Sequence, residues 1–362
     1  KTYGDSFTFN GTEFTVDGLK NGQTITKLNI TSPGTDPLSD VGTYDIIVGA
    51  IAQSEGGFKA SNYTFSLPTL ADGFTVNPAQ LTFTLNPQSK TYGDSFTFNG
   101  TEFSVAGLKN GQTITKLNIT SQGTDPLSDV GTYDIIAGGI AQSEGGFKAG
   151  NYTFTLPTLA DGFTVTPAEL TFTLNPQSKT YGESFTFNGT EFTVAGLKNG
   201  QTITKLNITS PGANALANVG AYDIITGGIA QSGNGFKTSN YTFSLPTLAN
   251  GLTVNPAQLT FTLNPQSKIY GDSFVFNGTE FTVDGLKNGQ TITKLTITSP
   301  GANPLVNVGA YDIIASAIAE SGDGFNAGNY TFSLPTLADG FTVDPAQLTF
   351  TLNPQSKTYG DT

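Results

Sequence analysis

Apolar and polar residues alternate with a period of two through most of this chain, and Thr, Phe, Tyr, Val and Ile fill the alternating segments. That pattern predicts β-strands, whose successive side chains point to opposite faces. FTFN (Phe7–Asn10) and EFTV (Glu13–Val16) read as short strands, and TITKLNIT (Thr24–Thr31) as a third. GTYDIIVGAIA (Gly42–Ala52) is longer, with Tyr44, Ile46, Val48 and Ala50 on one face. YTFSL (Tyr63–Leu67), GFTV (Gly73–Val76) and LTFTL (Leu81–Leu85) follow; the last places Leu81, Phe83 and Leu85 inward and its threonines outward. No amphipathic helix of useful length is present. A helical turn fits only GLKNGQT (Gly18–Thr24), where Asn21-Gly22 equally suits a type I′ turn, both of whose central residues need positive φ.

The pattern repeats. KTYGD at Lys1 returns as KTYGD at Lys90, KTYGE at Lys179, KIYGD at Lys268 and KTYGD at Lys357, a constant period of 89 residues without insertion or deletion. That is too long for one solenoid repeat, and long enough for a unit to bury its own core. The expectation is a mostly-β, all-β tandem array of four small domains.

Phase places the boundaries. In GFTVNPAQLTFTL the apolar positions are Phe74 and Val76, then Leu81, Phe83 and Leu85, so even numbers give way to odd. One regular strand cannot bury both sets on one face. Pro78 sits at the switch, lacks an N–H and belongs at a strand end. The expected domains are therefore 1–78, 79–167, 168–256 and 257–345, with 346–362 as the first strand of a following repeat. The first domain lacks its first strand. Short Pro-containing joints without Gly/Ser linkers predict a semi-rigid, rod-like array. Two readings follow for the unpaired strand. The simpler is a window on one very long polypeptide. The other is head-to-tail complementation of a second copy by strand addition through 346–362.

The ordered motifs K-x-Y-G-[DE], G-L-K-N-G-Q-T, V-G-[TA]-Y-D-I, N-Y-T-F and [FL]-T-V-x-P-A resemble the MBG repeat of the YGX type, found in very large bacterial surface and adhesin-like proteins, and the resemblance spans the whole chain in four copies. It implies a mostly-β module, β-grasp-like in expectation, used in long extracellular arrays at the cell surface or in a secreted filament, and no catalytic residue. The residues alone equally permit an immunoglobulin-like sandwich, and the G-x-Y of Gly42-Thr43-Tyr44 resembles a tyrosine corner.

Composition narrows the function. There is no Cys, Met, Trp or His, and all 16 basic residues are Lys. Disulfides, thiolate chemistry and Cys-ligated metals are excluded, and the commonest general base is missing. A net charge of −12 makes nucleic acid an unsuitable partner. No apolar run approaches the roughly 20 residues of a membrane helix, so no membrane insertion by a helix is expected.

Candidate chemistry is sparse. Asp36, Asp40 and Asp45 cluster in sequence, as do Asp125, Asp129 and Asp134, and calcium takes clustered carboxylates. The third and fourth units keep only Asp223 and Asp312, which argues for a solvated acidic loop. Glu13, Glu102, Glu191 and Glu280 recur, yet a glycosidase pair needs two carboxyls across a cleft, and a small all-β unit repeated four times is a poor host for one. No enzyme is expected. Lys20, Lys27, Glu13, Asp45 and Asn62 would supply an isopeptide set, against the plainer reading of Lys27 on an outer strand face. Sequons at Asn10, Asn29 and Asn62 mark expected exposed loops or strand ends. Tyr3, Tyr44 and Tyr63 recur as sugar-stacking candidates, or as core. The leading functional expectation is a stalk or filament acting as spacer. The alternative is a multivalent adhesin whose repeats each bind surface glycans weakly, with avidity supplying strength.

Overall fold

The computed structural model describes residues 1–359. Among these the chain is strand, turn and short 3₁₀ segments, with no α-helix. It falls into two compact units. One comprises Lys1–Glu169 with Leu197–Gly200 and Lys237–Thr242. The other holds Leu170–Gly196, Gln201–Phe236 and the chain from Phe243 onward.

The second repeat, within the first unit, shows the design. Thr113–Thr120 pairs antiparallel with the long strand Gly131–Glu144, which pairs antiparallel with Thr158–Thr166, which pairs in parallel with Gln88–Thr91. This mixed four-stranded sheet departs from the two antiparallel sheets of an immunoglobulin sandwich. Register shifts at Ile114/Lys116, Lys116/Leu117 and Asn118/Ile119 bend the long ladder, as bulges do, and the sheet curls into a half-barrel. A second, smaller layer covers its concave face. Thr82–Leu85 pairs antiparallel with Phe103–Ala106, and Ala79–Gln80 pairs in parallel with Tyr152–Thr153. Leu81, Phe83 and Leu85 are buried there, as is Val76 at the end of the preceding strand. The change of phase across Asn77-Pro78-Ala79 is thus a change of sheet. Residues 69–76 belong to one ladder and 79–85 to two others.

The second unit repeats the plan. Gln266–Ile269, Thr336–Asp344, Gly309–Gly322 and Thr291–Thr298 form its last four-stranded sheet, and Thr260–Leu263 pairs with Phe281–Asp284. Ile313 and Phe341 are wholly buried at the centre of a core that also holds Leu259, Phe261, Leu295 and Tyr181.

Two expected strands are corrected. Phe7–Asn10 and its equivalents form no ladder among the described residues. Phe7 and Phe9 instead turn edge-to-face onto each other, 5.1 Å apart, and onto Phe74 at 4.9 and 5.7 Å. Their apolar alternation records a loop packed on a ring, not a pleat. YTFSL shrinks to a two-residue strand in the later repeats, Tyr152–Thr153 in the second. At Asn21-Gly22 the backbone is left-handed at both residues (φ 55° and 71°), and Gln23 N–H donates to the Lys20 carbonyl, closing the tight turn.

The first repeat keeps Thr24–Thr31, Gly42–Glu55 and Thr69–Val76 as a three-stranded sheet. Among the described residues its Glu13–Val16 and Tyr63–Leu67 lie in no strand. A cavity of about 500 Å³ opens over its sheet, lined by Phe14, Val16, Leu28, Ile30, Phe65 and Leu70 among others. The C-terminal LTFTL is the converse: Leu348, Phe350 and Leu352 are 78%, 88% and 93% exposed and lie in no strand. Of the segment 346–362 expected to be a first strand, residues 360–362 lie outside the described residues.

Candidate functional site

A set of recurring tyrosine, glutamine, asparagine and glycine residues converges on the junction between one repeat and the next. Each junction begins with the KTYGD segment. Lys90, almost fully buried, donates from Nζ to the Asp94 and Asp125 carbonyls (3.0 and 2.8 Å), and so clips two loops of its own repeat together. Lys179 does the same with Glu183 and Asn214. Burial pushes both ammonium groups below their ordinary pKa. The clip holds the following Tyr and Gly in place.

In the first unit, Tyr3 is buried against Tyr152 of the second repeat, ring edge to ring face at 5.4 Å. Gln112 links the pair: its Nε2 donates to Tyr3 OH (3.1 Å) and to the Gly146 carbonyl (3.0 Å), while its Oε1 accepts from Tyr152 OH (2.6 Å). Tyr152 OH also accepts from Lys109 N–H at 3.0 Å, and burial raises its pKa. Gly4 has φ +83°, and a Cβ there would stand 2.5 Å from the Lys109 stem. Glycine is required twice at this point, for the left-handed backbone and for the close approach. Lys109 runs on to meet Asp5 at 3.3 Å, and Asn110 Nδ2 donates to the Pro37 carbonyl. The tight turn of GLKNGQ and the YGD of the preceding repeat are two halves of one contact.

The other half of the junction is built on Asn151, which is 3% exposed. Its Oδ1 accepts from Val41 N–H (2.9 Å) and its Nδ2 donates to Asp40 Oδ1 (2.8 Å). Lys148 completes the set with a 2.7 Å ion pair to Asp40 Oδ2. The hydrogen bonds from Lys148 and Asn151 hold the Asp40 carboxyl below its ordinary pKa, and Asp40 in turn raises the Lys148 ammonium. The next junction of this unit is a copy. Asn240 donates to Asp129 and accepts from Val130 N–H, Lys237 pairs with Asp129 at 2.6 Å, Lys198 pairs with Asp94 at 3.0 Å, and Tyr92 meets Tyr241 at 5.4 Å.

The junction inside the second unit keeps the geometry and drops the charge. Tyr181 meets Tyr330 at 5.4 Å, and Gln290 bonds to both hydroxyls. Asn329 accepts from Val219 N–H and donates to Asn218 Oδ1, both at 2.9 Å. Asn218 stands where the other junctions have Asp40 and Asp129, and Asn326 where they have Lys148 and Lys237. The two members of the ion pair are neutralised together.

These placements account for the candidate residues. The three aspartates of the acidic loop have separate roles. Asp36 Oδ1 caps Leu38 N–H at 2.8 Å, and Asn214 and Asn303 do so equally well through a neutral carbonyl oxygen, so charge is free to vary there. Asp40 belongs to the junction. Asp45 accepts from Asp72 N–H at 3.0 Å, where Asp72 is left-handed (φ 56°) at the register shift of its strand, and the bond recurs from Asp134, Asp223 and Asp312. Among the described residues no group of three or more acidic side chains is placed to hold a metal. Glu13 accepts from Asn10 and Gly11 N–H, and these bonds outweigh desolvation to lower its pKa. Lys27 lies exposed on the outward face of its strand. Glu13, Lys20, Asp45 and Asn62 are exposed as well, whereas an isopeptide set needs an apolar core. Asn62 is exposed, but its equivalents Asn151, Asn240 and Asn329 are buried in junctions, which corrects the expectation of exposed sequons at those positions. Tyr3 and its equivalents Tyr92 and Tyr181 are buried in junctions, and Tyr44 OH donates to the Asp40 carbonyl at 2.7 Å.

No helix among the described residues is long and apolar enough to cross a membrane. What fold and junctions define is an all-β array of tandem repeats, each holding the next through a fixed set of side chains. The family model for the MBG domain (YGX type) matches four times in tandem, over residues 1–73, 81–162, 170–251 and 259–340, and the chain belongs to that family. Such repeats imply a repeat region of a surface or adhesin-like protein. No curated protein matches the chain.

Proposed function

We propose that this region is a spacer: a stalk or filament segment of a long extracellular surface protein, whose output is the distance it sets between what lies at either end. One observation carries the reading. The aromatic and amide side chains that recur at each junction are occupied in binding the neighbouring repeat, as with Tyr3, Gln112 and Asn151. A repeat built to hold a glycan or substrate would keep some of that set free around a concavity. Here the invariant chemistry is directed along the chain. No catalytic role and no cofactor belong to this proposal.

Small-angle scattering on chains of two, three and four repeats tests it. The proposal expects the longest dimension to grow by a constant increment per repeat. Growth with the square root of repeat number, as in a freely jointed coil, refutes it. A glycan array probed with the same chains separates the spacer from a multivalent adhesin: silence supports the spacer, and binding that climbs steeply with repeat number overturns it.

A further inference from the structure

The junctions hold their tyrosines in pairs. Tyr92 lies against Tyr241 and Tyr181 against Tyr330, ring edge to ring face, with centroids 5.4 Å apart, and Tyr3 meets Tyr152 at the same distance. Each pair draws one ring from a YGD base and the other from the next repeat. All six rings are buried, between 2% and 6% exposed. Inside the second unit, Gln290 Nε2 donates to Tyr181 OH at 3.1 Å, and Tyr330 OH donates to Gln290 Oε1. Gln112 holds Tyr3 and Tyr152 in the same way. Phe325 stacks on Tyr330 at 5.4 Å with the ring planes 15° apart, which fixes that ring further. The two hydroxyls, and with them the ortho carbons on either side, converge on one primary amide.

Composition gives these pairs a chemical meaning. An oxidant takes first the side chains that give up electrons most readily, and Cys, Met, Trp and His are all absent. Tyrosine, present 13 times, is the most readily oxidised side chain that remains. The tyrosines differ in setting. Tyr44, Tyr133, Tyr222 and Tyr311 are half-buried, and each donates its hydroxyl to a main-chain carbonyl of its own repeat. The junction tyrosines are held ring against ring.

We propose that each junction pair is a site of oxidative cross-linking, where the two rings join as dityrosine and seal one repeat to the next covalently. Each phenol gives up one electron and its hydroxyl proton to become a phenoxyl radical, whose spin spreads to the ortho carbons. One ortho carbon of each ring then bonds to the other. The hydrogen each of them carried moves to its ring's oxygen and restores both phenols. The pair loses two electrons and two protons in all. A one-electron oxidant carries the electrons to a peroxide, and hydrogen peroxide takes up electrons and protons together as two waters. Rings already fixed side by side react as if at high effective concentration. Burial keeps them from coupling to a second chain. The new bond closes a long loop, which restricts the unfolded chain and so resists opening of the junction. The site rests on the geometry of the pair and is independent of the spacer role.

The test oxidises the full chain at low concentration with photogenerated tris(bipyridine)ruthenium(III), with peroxodisulfate as the terminal peroxide. Dityrosine fluorescence is expected, with a loss of two hydrogens from the intact mass for each link. Peptide mapping is expected to find Tyr92 joined to Tyr241 and Tyr181 joined to Tyr330. The same treatment in urea is expected to lose that selectivity. Tyr181→Phe and Tyr330→Phe each keep the ring. Each is expected to abolish the link at its own junction and retain the link between Tyr92 and Tyr241, which also reports that the fold persists. Absence of both links in the folded chain overturns the proposal. So does dityrosine formed as readily at Tyr44, Tyr133, Tyr222 and Tyr311, or formed mainly between chains, or formed at the junction pairs in equal yield in urea.

Discussion

The first and second repeats have nearly the same sequence and differ sharply in how it is used. Val16 is 42% exposed where Val105 is half-buried, and Leu28 is half-buried where Leu117 is 2% exposed. Glu13–Val16 stays irregular where Phe103–Ala106 is a strand. At the other end of the repeat, Asn62 is exposed where Asn151 is buried. In the second repeat two separate elements do the covering: its own strand Thr82–Leu85, laid over the sheet, and the YGD base of the first repeat, laid over Asn151 and Tyr152. The comparison teaches that the side chains of one sequence become core or junction only where another element lies on them.

The comparison can be broken most strongly at Phe83. Phe83→Ala removes the central side chain of the covering strand, and a buried Phe→Ala change costs about 3–5 kcal/mol. Hydrogen exchange is the measure. Amides of Thr113–Thr120 are expected to lose protection and approach the rates of Thr24–Thr31, while Thr202–Thr209 is unchanged. Equal protection of the first two sheets in the unaltered chain would contradict the premise.

A smaller effect separates the two heads. Asn151→Ala leaves Val41 N–H without its partner and removes a bond to Asp40, a loss of roughly 1–3 kcal/mol. Asn62→Ala touches an exposed residue and is expected to stay within about 0.5 kcal/mol of the unaltered chain. Urea unfolding of the two variants side by side measures the difference.

The smallest effect sharpens the comparison among junctions. Asp40 and Asp129 have depressed pKa values in the folded chain, so their contribution is present above the unfolded carboxylate pKa of about 3.9 and is lost as pH falls through the folded value. Asn218 has no such proton to take up. Exposed ion pairs contribute only about 0–1 kcal/mol, so the readout must be local. On acidification below about pH 4, side-chain amide resonances of Asn151 and Asn240 are expected to shift while that of Asn329 holds. A parallel shift at all three would remove the assigned role of the carboxylates.

Much of the fold was legible from alternation alone. The strands at Thr24, Gly42 and Thr82, the tight turn at Asn21-Gly22 and the change of sheet at Pro78 all rest on local rules of pleat, φ and lost N–H. FTFN misled because a two-residue period cannot distinguish a pleated strand from a loop whose alternate rings pack on Phe74. The junction is not legible locally: its side-chain partners lie from 73 residues apart (Asn110 and Pro37) to 149 (Tyr3 and Tyr152), beyond any local pattern. One signal was nonetheless present. Asp40 with Lys148 and Asp129 with Lys237 become Asn218 with Asn326, and a concerted loss of opposite charges at a fixed separation of 108 marks a contact between repeats. The aspartates of the acidic loop are close in sequence and read there as one solvated loop. Capping, junction and bulge roles divide them in space.

Because each junction draws one face from the YGD base and the other from the GLKNGQ head, and both occur in every 89-residue period, the array tolerates editing by whole periods. Excising residues 168–256 would set the Asp129 base against the head that carries Asn326 and Asn329. The buried amide would still find its carboxylate, the two tyrosines would still meet, and one surface ion pair would be missing. Loss or gain of a period through unequal recombination therefore alters the number of repeats and leaves the grammar by which they join intact.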